Sequence, residues 1–457
     1  MYFAQHYLDC LSQASYVIGD PTTGRAVVVD PRRDVDEYVA DAEENGFTVE
    51  AVINTHFHAD FLAGHLELAA RTGAWIGYGR RAETDYPIRK LADRERISLG
   101  RVTLQIMETP GHTPESISIL VFERPEDLIP YGVLTGDALF VGDVGRPDLL
   151  ASAGVTAQEL GAMLYDSVHR KLLALPDETR VFPAHGAGSA CGKNLSTERS
   201  STIGMQRLSN YACRPMDEAT FVALVGADQP AAPGYFSYDA DLNRRNRDLF
   251  DPELAAHPLD PERFSLLRGR GAVVLDSRDP LAFAAGHLAG SVNVPIDGRF
   301  AEHVGSVLAP DDEILVVAAD GRAEETVTRL ARIGFDKVLG HAAEPDRVFR
   351  DRPEEMRQAA RFTADALRAE LNGEHPPLVL DVRNAGERGD GHLIAGALHI
   401  PLAELVARRD EIPADGRLVV HCAGGNRSSI AASVLRRGGR AEVYDLIGGY
   451  GAWEACA

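Results

Sequence analysis

Thr55-His56-Phe57-His58-Ala59-Asp60-Phe61 follows directly on the apolar pair Val52-Ile53, with Asn54 between. An apolar run that stops at a cluster of imidazole and carboxylate groups reads as a strand delivering metal-binding side chains to its end. The same theme recurs outward from it. Val27-Val28-Val29 precedes Asp30, Val102 to Met107 precedes Pro110-Gly111-His112, Val133-Leu134 precedes Gly136-Asp137, and Val181-Phe182 precedes His185. Between these runs Val35, Tyr38, Val39 and Ala42 recur at helical spacing, with Gly46 as a stop. Alternating strand and helix signals predict an α/β domain with its ligands gathered at one rim of a sheet.

The chain of 457 residues is too long for one core and predicts two to four domains. Apolar residues make up 45% and charged residues 25%, and no apolar stretch approaches the ~18 residues of a membrane span. A net charge of -21 disfavours nucleic acid and anionic membranes, because both need clustered Lys and Arg. Small-molecule or protein partners are expected, and assembly into a homo-oligomer stays open. The first ten residues lack the basic and apolar regions of a secretory signal, so a cytoplasmic location is expected. The five cysteines are scattered, which suggests neither a disulfide framework nor a CxxC zinc site.

The second half contains a repeat. Val274-Leu275-Asp276-Ser277-Arg278, Gly286-His287-Leu288-Ala289-Gly290 and Val294-Pro295 return as Val379-Leu380-Asp381-Val382-Arg383, Gly391-His392-Leu393-Ile394-Ala395-Gly396 and Ile400-Pro401. Asp276 and Asp381 are 105 positions apart, and so are Arg322 and Arg427. The proline-bearing stretch 226–261 separates this half from the first, and the charged stretch from Glu344 to Arg361 reads as the connector between repeats. The expected domains are 1–255, 256–345 and 360–457.

In the second repeat, Leu418-Val419-Val420-His421 feeds Cys422-Ala423-Gly424-Gly425-Asn426-Arg427, followed by Ile430, Ala431, Val434 and Leu435 at helical spacing. A thiol at the start of a loop that opens a helix meets inward-pointing N–H groups, which favours a nucleophilic, sulfur-carrying cysteine over a buried structural one. Counted to its Arg, the corresponding loop of the first repeat is two residues shorter, and Ala318-Ala319-Asp320-Gly321 has no thiol. That copy is expected to be structural.

HxHxD, Pro110-Gly111-His112-Thr113 and Thr135-Gly136-Asp137 resemble the metallo-β-lactamase superfamily over about residues 1 to 250, which implies an αββα sandwich. Hydrolytic members of glyoxalase II type read THxHxDH and hold two metals, whereas Phe61 stands here where the last His would be. Within that superfamily the chain is most similar to the persulfide dioxygenases. That resemblance implies one iron(II) per chain on His56, His112 and Asp137, a two-His, one-carboxylate face with room for a thiolate sulfur and dioxygen. It makes His58, Asp60 and His185 supporting residues, although spacing alone leaves His58 open as a ligand in a three-His site that would lean towards zinc. Arg146, in the loop from Gly136 to Asp148, would hold a thiol carrier such as glutathione; the alternative is an Arg in a surface turn. Cys191 is either a relay thiol or a buried inert one.

The Cys422 loop and the elements upstream of it resemble the rhodaneses. Four residues lie between Cys422 and Arg427, as in rhodanese loops that fit a sulfur atom, where related phosphatases have five. The whole resembles the persulfide dioxygenase/rhodanese fusions with an inactive middle copy. The substrates then implied are a small persulfide, dioxygen, sulfite and thiosulfate. A zinc thioester hydrolase and a non-catalytic sulfur carrier or sensor are the rival readings.

Overall fold

The structure, a computed structural model, describes residues 1–149, 155–229, 232–252, 256–389 and 391–456. It forms two compact units, Met1–Gln229 with Phe236–Phe250 and Pro230–Tyr235 with Asp251–Ala457. The division falls within the proline-bearing stretch; residues 255 and 457, at which two expected domains end, lie outside the described residues.

The first unit is built on two sheets of six strands. One follows chain order: β1 (Tyr2–Leu8), β2 (Gln13–Asp20), β3 (Arg25–Val29), β4 (Thr48–Ile53), β5 (Trp75–Gly79) and β6 (Arg89–Leu91). The other contains β7 (Arg96–Ser98), β8 (Thr103–Glu108), β9 (Ile117–Phe122), β10 (Gly132–Gly136), β11 (Arg180–Pro183) and β12 (Ser201–Thr202), again neighbour to neighbour. Strand periodicity explains the layering, since alternate side chains face opposite ways. Tyr16, Ile18, Val27 and Val29 pack with Leu104, Ile106, Ile119 and Leu134 between the sheets. Their neighbours Val17, Ala26 and Val28 face outward onto Tyr38 and Ala42 of the helix Asp36–Glu44 and onto Leu68 of the helix His65–Thr72. On the far side Leu120, Val133 and Val181 meet Leu164 of the helix Ala157–Tyr165 and Phe221 of the helix Glu218–Gly226. Each Val, Leu, Ile or Phe among them contributes about 1.5–3 kcal/mol when fully buried, so the αββα order follows from where these runs can hide. The rim that receives the candidate ligands is shared by two sheets, where the sequence suggested one: β3 and β4 come from the first, β8, β10 and β11 from the second.

The second unit repeats one topology. β13 (Pro258–Leu259), β14 (Val273–Asp276), β16 (Val292–Asn293), β17 (Ile314–Val317) and β18 (Val338–Ala342) form a parallel sheet in the order β13-β18-β17-β14-β16. β20 (Arg361–Phe362), β21 (Leu378–Asp381), β22 (Leu398–His399), β23 (Leu418–His421) and β24 (Val443–Leu446) form the second, β20-β24-β23-β21-β22, also parallel. The two orders correspond strand for strand. The charged stretch read as a connector is largely structured: Val348 is buried with the first repeat's core, and β19 (Met356–Arg357) pairs with β15 (His287–Leu288).

Strand register also corrects the loop count. Asp276 pairs with Val317 and Asp381 with His421, so Ala318 occupies the position of Cys422. Counted to its Arg, the first loop is therefore one residue shorter, not two. Moreover Arg322 precedes its helix, Ala323–Ala331, whereas Arg427 lies inside Asn426–Arg437.

Candidate functional site

His56 follows β4, His112 follows β8 and Asp137 follows β10, and all three side chains are buried. Gly136 makes the turn possible: its φ is +53°, and a Cβ there would lie 2.7 Å from Thr55 Oγ1. The three groups each offer an atom within 4.8 Å of the others. His56 Nε2 and His112 Nε2 lie 3.7 and 3.5 Å from Asp137 Oδ2. His56 Nε2 and Asp137 Oδ2 are buried without a hydrogen-bond partner, which is costly unless a cation fills the space between them. The residues therefore fit a divalent metal.

The supporting contacts aim these atoms. The Nδ1 face of His112 lies 2.9 Å from the Arg146 carbonyl, so an Nδ1–H there donates and leaves Nε2 as the free acceptor. His56 Nδ1 is 3.0 Å from Thr55 Oγ1, which donates to Asp30 Oδ2 at 2.9 Å. Asp30 also accepts from the Thr55 N–H at 2.7 Å and lies 3.0 Å from His58 Nε2. His58 is thus turned towards Asp30 and belongs to a second cluster with Asp60 and His185, whose ligand atoms also lie within 4.8 Å of one another. His185 bridges the carboxylates of Asp137 and Asp60, 2.8 Å from each. Burial disfavours its charged form, but Asp137 and Asp60 outweigh that and hold its pKa well above the ordinary value. Burial raises the pKa of Asp137, yet the charged His185 beside it holds it well below the carboxylate range.

Phe61 is fully buried, its ring 4.3 Å from that of His58 and 6.3 Å from that of His185. Cys191 is buried and within reach of Asp137 and His185. Burial, then the charges of Asp60 and Asp137, push its thiol well above the usual range. Arg146 is buried rather than in an open turn, and its guanidinium makes two 2.7 Å bonds to Asp148.

In the second unit Cys422 follows β23 and is buried, with the Gly425 N–H donating to Sγ at 3.1 Å. Arg427 makes a bidentate ion pair with Glu387, 2.6 Å at each oxygen. The loop is braced from behind by the Tyr450 and Gly451 N–H groups, which donate to the Cys422 and Ala423 carbonyls. Gly449 permits that approach: its φ is +59°, and a Cβ would lie 2.4 Å from the Cys422 oxygen. Gly449→Ala should cost about 2–4 kcal/mol, combining backbone strain with overpacking. Chemical denaturation checks it, with an unchanged midpoint as the contrary result.

Sequence reading missed Asp30 as a hub, though its place after β3 matches that of the ligands, and its φ of +51° is uncommon for a non-glycine. It also missed Asn243, which donates to the His58 and Phe61 carbonyls and accepts from the Ala63 N–H. Glu387 was missed as well. No local pattern marks Asn243 or Glu387, because their partners lie about 180 and 40 residues away.

The Metallo-beta-lactamase superfamily matches residues 8–185, and the Rhodanese-like domain family matches residues 260–341 and again 363–456. The chain belongs to the metallo-beta-lactamase superfamily. Two rhodanese-like domains follow that domain, and its homologues include persulfide dioxygenases. A solved metallo-beta-lactamase from Staphylococcus aureus is 33% identical with a TM-score of 0.67, covering 74% of this chain and 98% of that one. The mitochondrial persulfide dioxygenase ETHE1 of Bos taurus is 29% identical over 40% of this chain and 68% of its own. A hydroxyacylglutathione hydrolase of Rhodospirillum rubrum is 33% identical over 37% of this chain and 60% of its own. The chain spans about half the length of the first curated relatives it matches, 54%. Among the described residues no helix is long and apolar enough to cross a membrane.

Proposed function

We propose that the metallo-beta-lactamase domain oxidises a small persulfide such as glutathione persulfide to sulfite, using one iron(II) held by His56, His112 and Asp137, and that Cys422 of the second rhodanese-like domain transfers sulfane sulfur. The observation that carries this reading is the convergence of those three buried donors with Phe61 packed against the neighbouring cluster. The first reaction balances as RSSH + O2 + H2O giving RSH + H2SO3, with the sulfane sulfur oxidised and dioxygen reduced. Iron(II) would supply open positions for a thiolate sulfur and dioxygen, together with redox chemistry that zinc lacks.

The chain's own residues do the rest. Thr55 and the Arg146 carbonyl orient the two imidazoles, and His185 orients Asp137. Arg146 would bind a carboxylate of the thiol carrier in competition with Asp148. Cys191 is buried beside the carboxylates of Asp60 and Asp137, which oppose a thiolate, whereas Cys422 Sγ receives a backbone N–H; this supports an inert thiol over a relay. Among the described residues no two cysteines form a disulfide, which fits a cytoplasmic location.

A second reading, a thioester hydrolase of glyoxalase II type, draws on the cluster of His58, Asp60 and His185 and on the hydrolase relative. Metal analysis of purified protein combined with oxygen uptake on glutathione persulfide separates the two. One iron and uptake supports ours; two zinc ions and thioester hydrolysis overturns it. Phe61→His is the converse test. It should bind an additional zinc ion without gaining oxygen uptake, and unchanged zinc stoichiometry in equilibrium dialysis would show that Phe61 is not the deciding difference.

A further inference from the structure

Arg427 is the only charged residue among the six from Cys422 to Arg427. Any preference of this loop for anionic sulfur donors therefore rests on that guanidinium together with the backbone N–H groups and the helix N-terminus. In the structure both terminal nitrogens of Arg427 are engaged by Glu387, whose side chain is about one-third exposed (35%) while that of Arg427 is 20% exposed. Glu387 is fixed from behind, since its carboxylate also accepts from the Asn384 N–H at 2.9 Å. A further negative charge, Glu302 of the thiol-less repeat, is within electrostatic reach of the same guanidinium. The loop's single cation is thus neutralised before any donor arrives.

We propose that Glu387 is a specificity-determining residue that competes with dianionic donors for Arg427, so that the Cys422 site favours persulfides of low charge over thiosulfate. This rests on the sulfur-transfer reading above. With thiosulfate, the Cys422 thiolate attacks the sulfane sulfur, a Cys–S–S bond forms, the S–SO3 bond breaks, and sulfite leaves with the electron pair. The charge of -3 is conserved, and no oxidant is required. The incoming dianion must either displace Glu387 from Arg427 or approach beside it, and each penalises thiosulfate selectively. A persulfide whose remainder is uncharged has no need of the guanidinium and escapes that penalty.

Glu387→Gln tests this well, because the amide oxygen still accepts from the Asn384 N–H while the charge is lost. The readout is steady-state transfer to cyanide from thiosulfate and from hydroxyethyl persulfide, using the full chain. The expected result is a fall in the thiosulfate KM of about 5- to 10-fold relative to that for the persulfide, with kcat on thiosulfate within about twofold. Glu387→Asp, which keeps the charge, should leave the KM ratio within about twofold of the parent. The assignment is overturned if the Gln variant moves both donors equally or neither, or if Asp acts as strongly as Gln. Failure of the underlying reading looks different: the unaltered protein would then take up no sulfur on Cys422 from either donor, as judged by intact-protein mass spectrometry.

Discussion

Cys422→Ser is expected to keep its metal and its oxygen uptake on a supplied persulfide, while sulfane-sulfur transfer falls at least about a thousandfold. The serine hydroxyl takes the same place in the loop but cannot carry sulfane sulfur as a persulfide. Neither the first repeat nor Cys191 offers a substitute: Ala318 stands at the equivalent position of the first repeat, and Cys191 is buried beside the Asp60 and Asp137 carboxylates, which oppose a thiolate. Sulfite should accumulate and thiosulfate should fall among the products. Arg427→Ala should give a milder form of the same defect, since it removes a cation and its pair with Glu387 but leaves the nucleophile. In the unaltered protein, peptide mapping after exposure to a sulfur donor should place one added sulfur on Cys422. Thiosulfate formation by Cys422→Ser at the parent rate, or added sulfur on Cys191, would remove the second rhodanese-like domain from the reaction.

The second large effect belongs to the metal ligands. His56→Ala, His112→Ala and Asp137→Ala should each lose metal and oxygen uptake together, by more than the roughly 10- to 100-fold that follows loss of a supporting residue. Each removes one of three donors around a buried point and leaves the others without a shared cation. His58→Ala should weaken metal binding within that 10- to 100-fold range, because His58 Nε2 is directed at Asp30, which in turn steadies Thr55 and, through it, His56. Metal content after dialysis, read with oxygen uptake, distinguishes the two classes. If His58→Ala loses metal as completely as His56→Ala, then His58 is a ligand and the triad is wrong.

Much of this was legible along the chain because the relevant signals are local. Apolar runs that end at Asp30, His56, His112, Asp137 and His185 announce both the strands and the ends from which the side chains emerge. A repeat at a constant offset and a thiol between a strand and a helix are equally one-dimensional patterns, and the sheets reproduce them strand for strand. Donor identity, the residue at position 61 and the missing thiol of the first repeat belong to the sequence alone.

Tertiary structure decided what depends on closure in space. That the rim is shared by two sheets follows from stacking β1 to β6 on β7 to β12, and it is this stacking that brings His56 to His112 and Asp137 while leaving His58 on Asp30. Asn243 on the Phe61 turn and Glu387 on Arg427 are contacts between segments far apart in the chain. A polar side chain carries no periodic mark of such a partner. Its role is fixed by the cost of burying a hydrogen-bonding or charged group without one, and that cost exists only once the chain has folded.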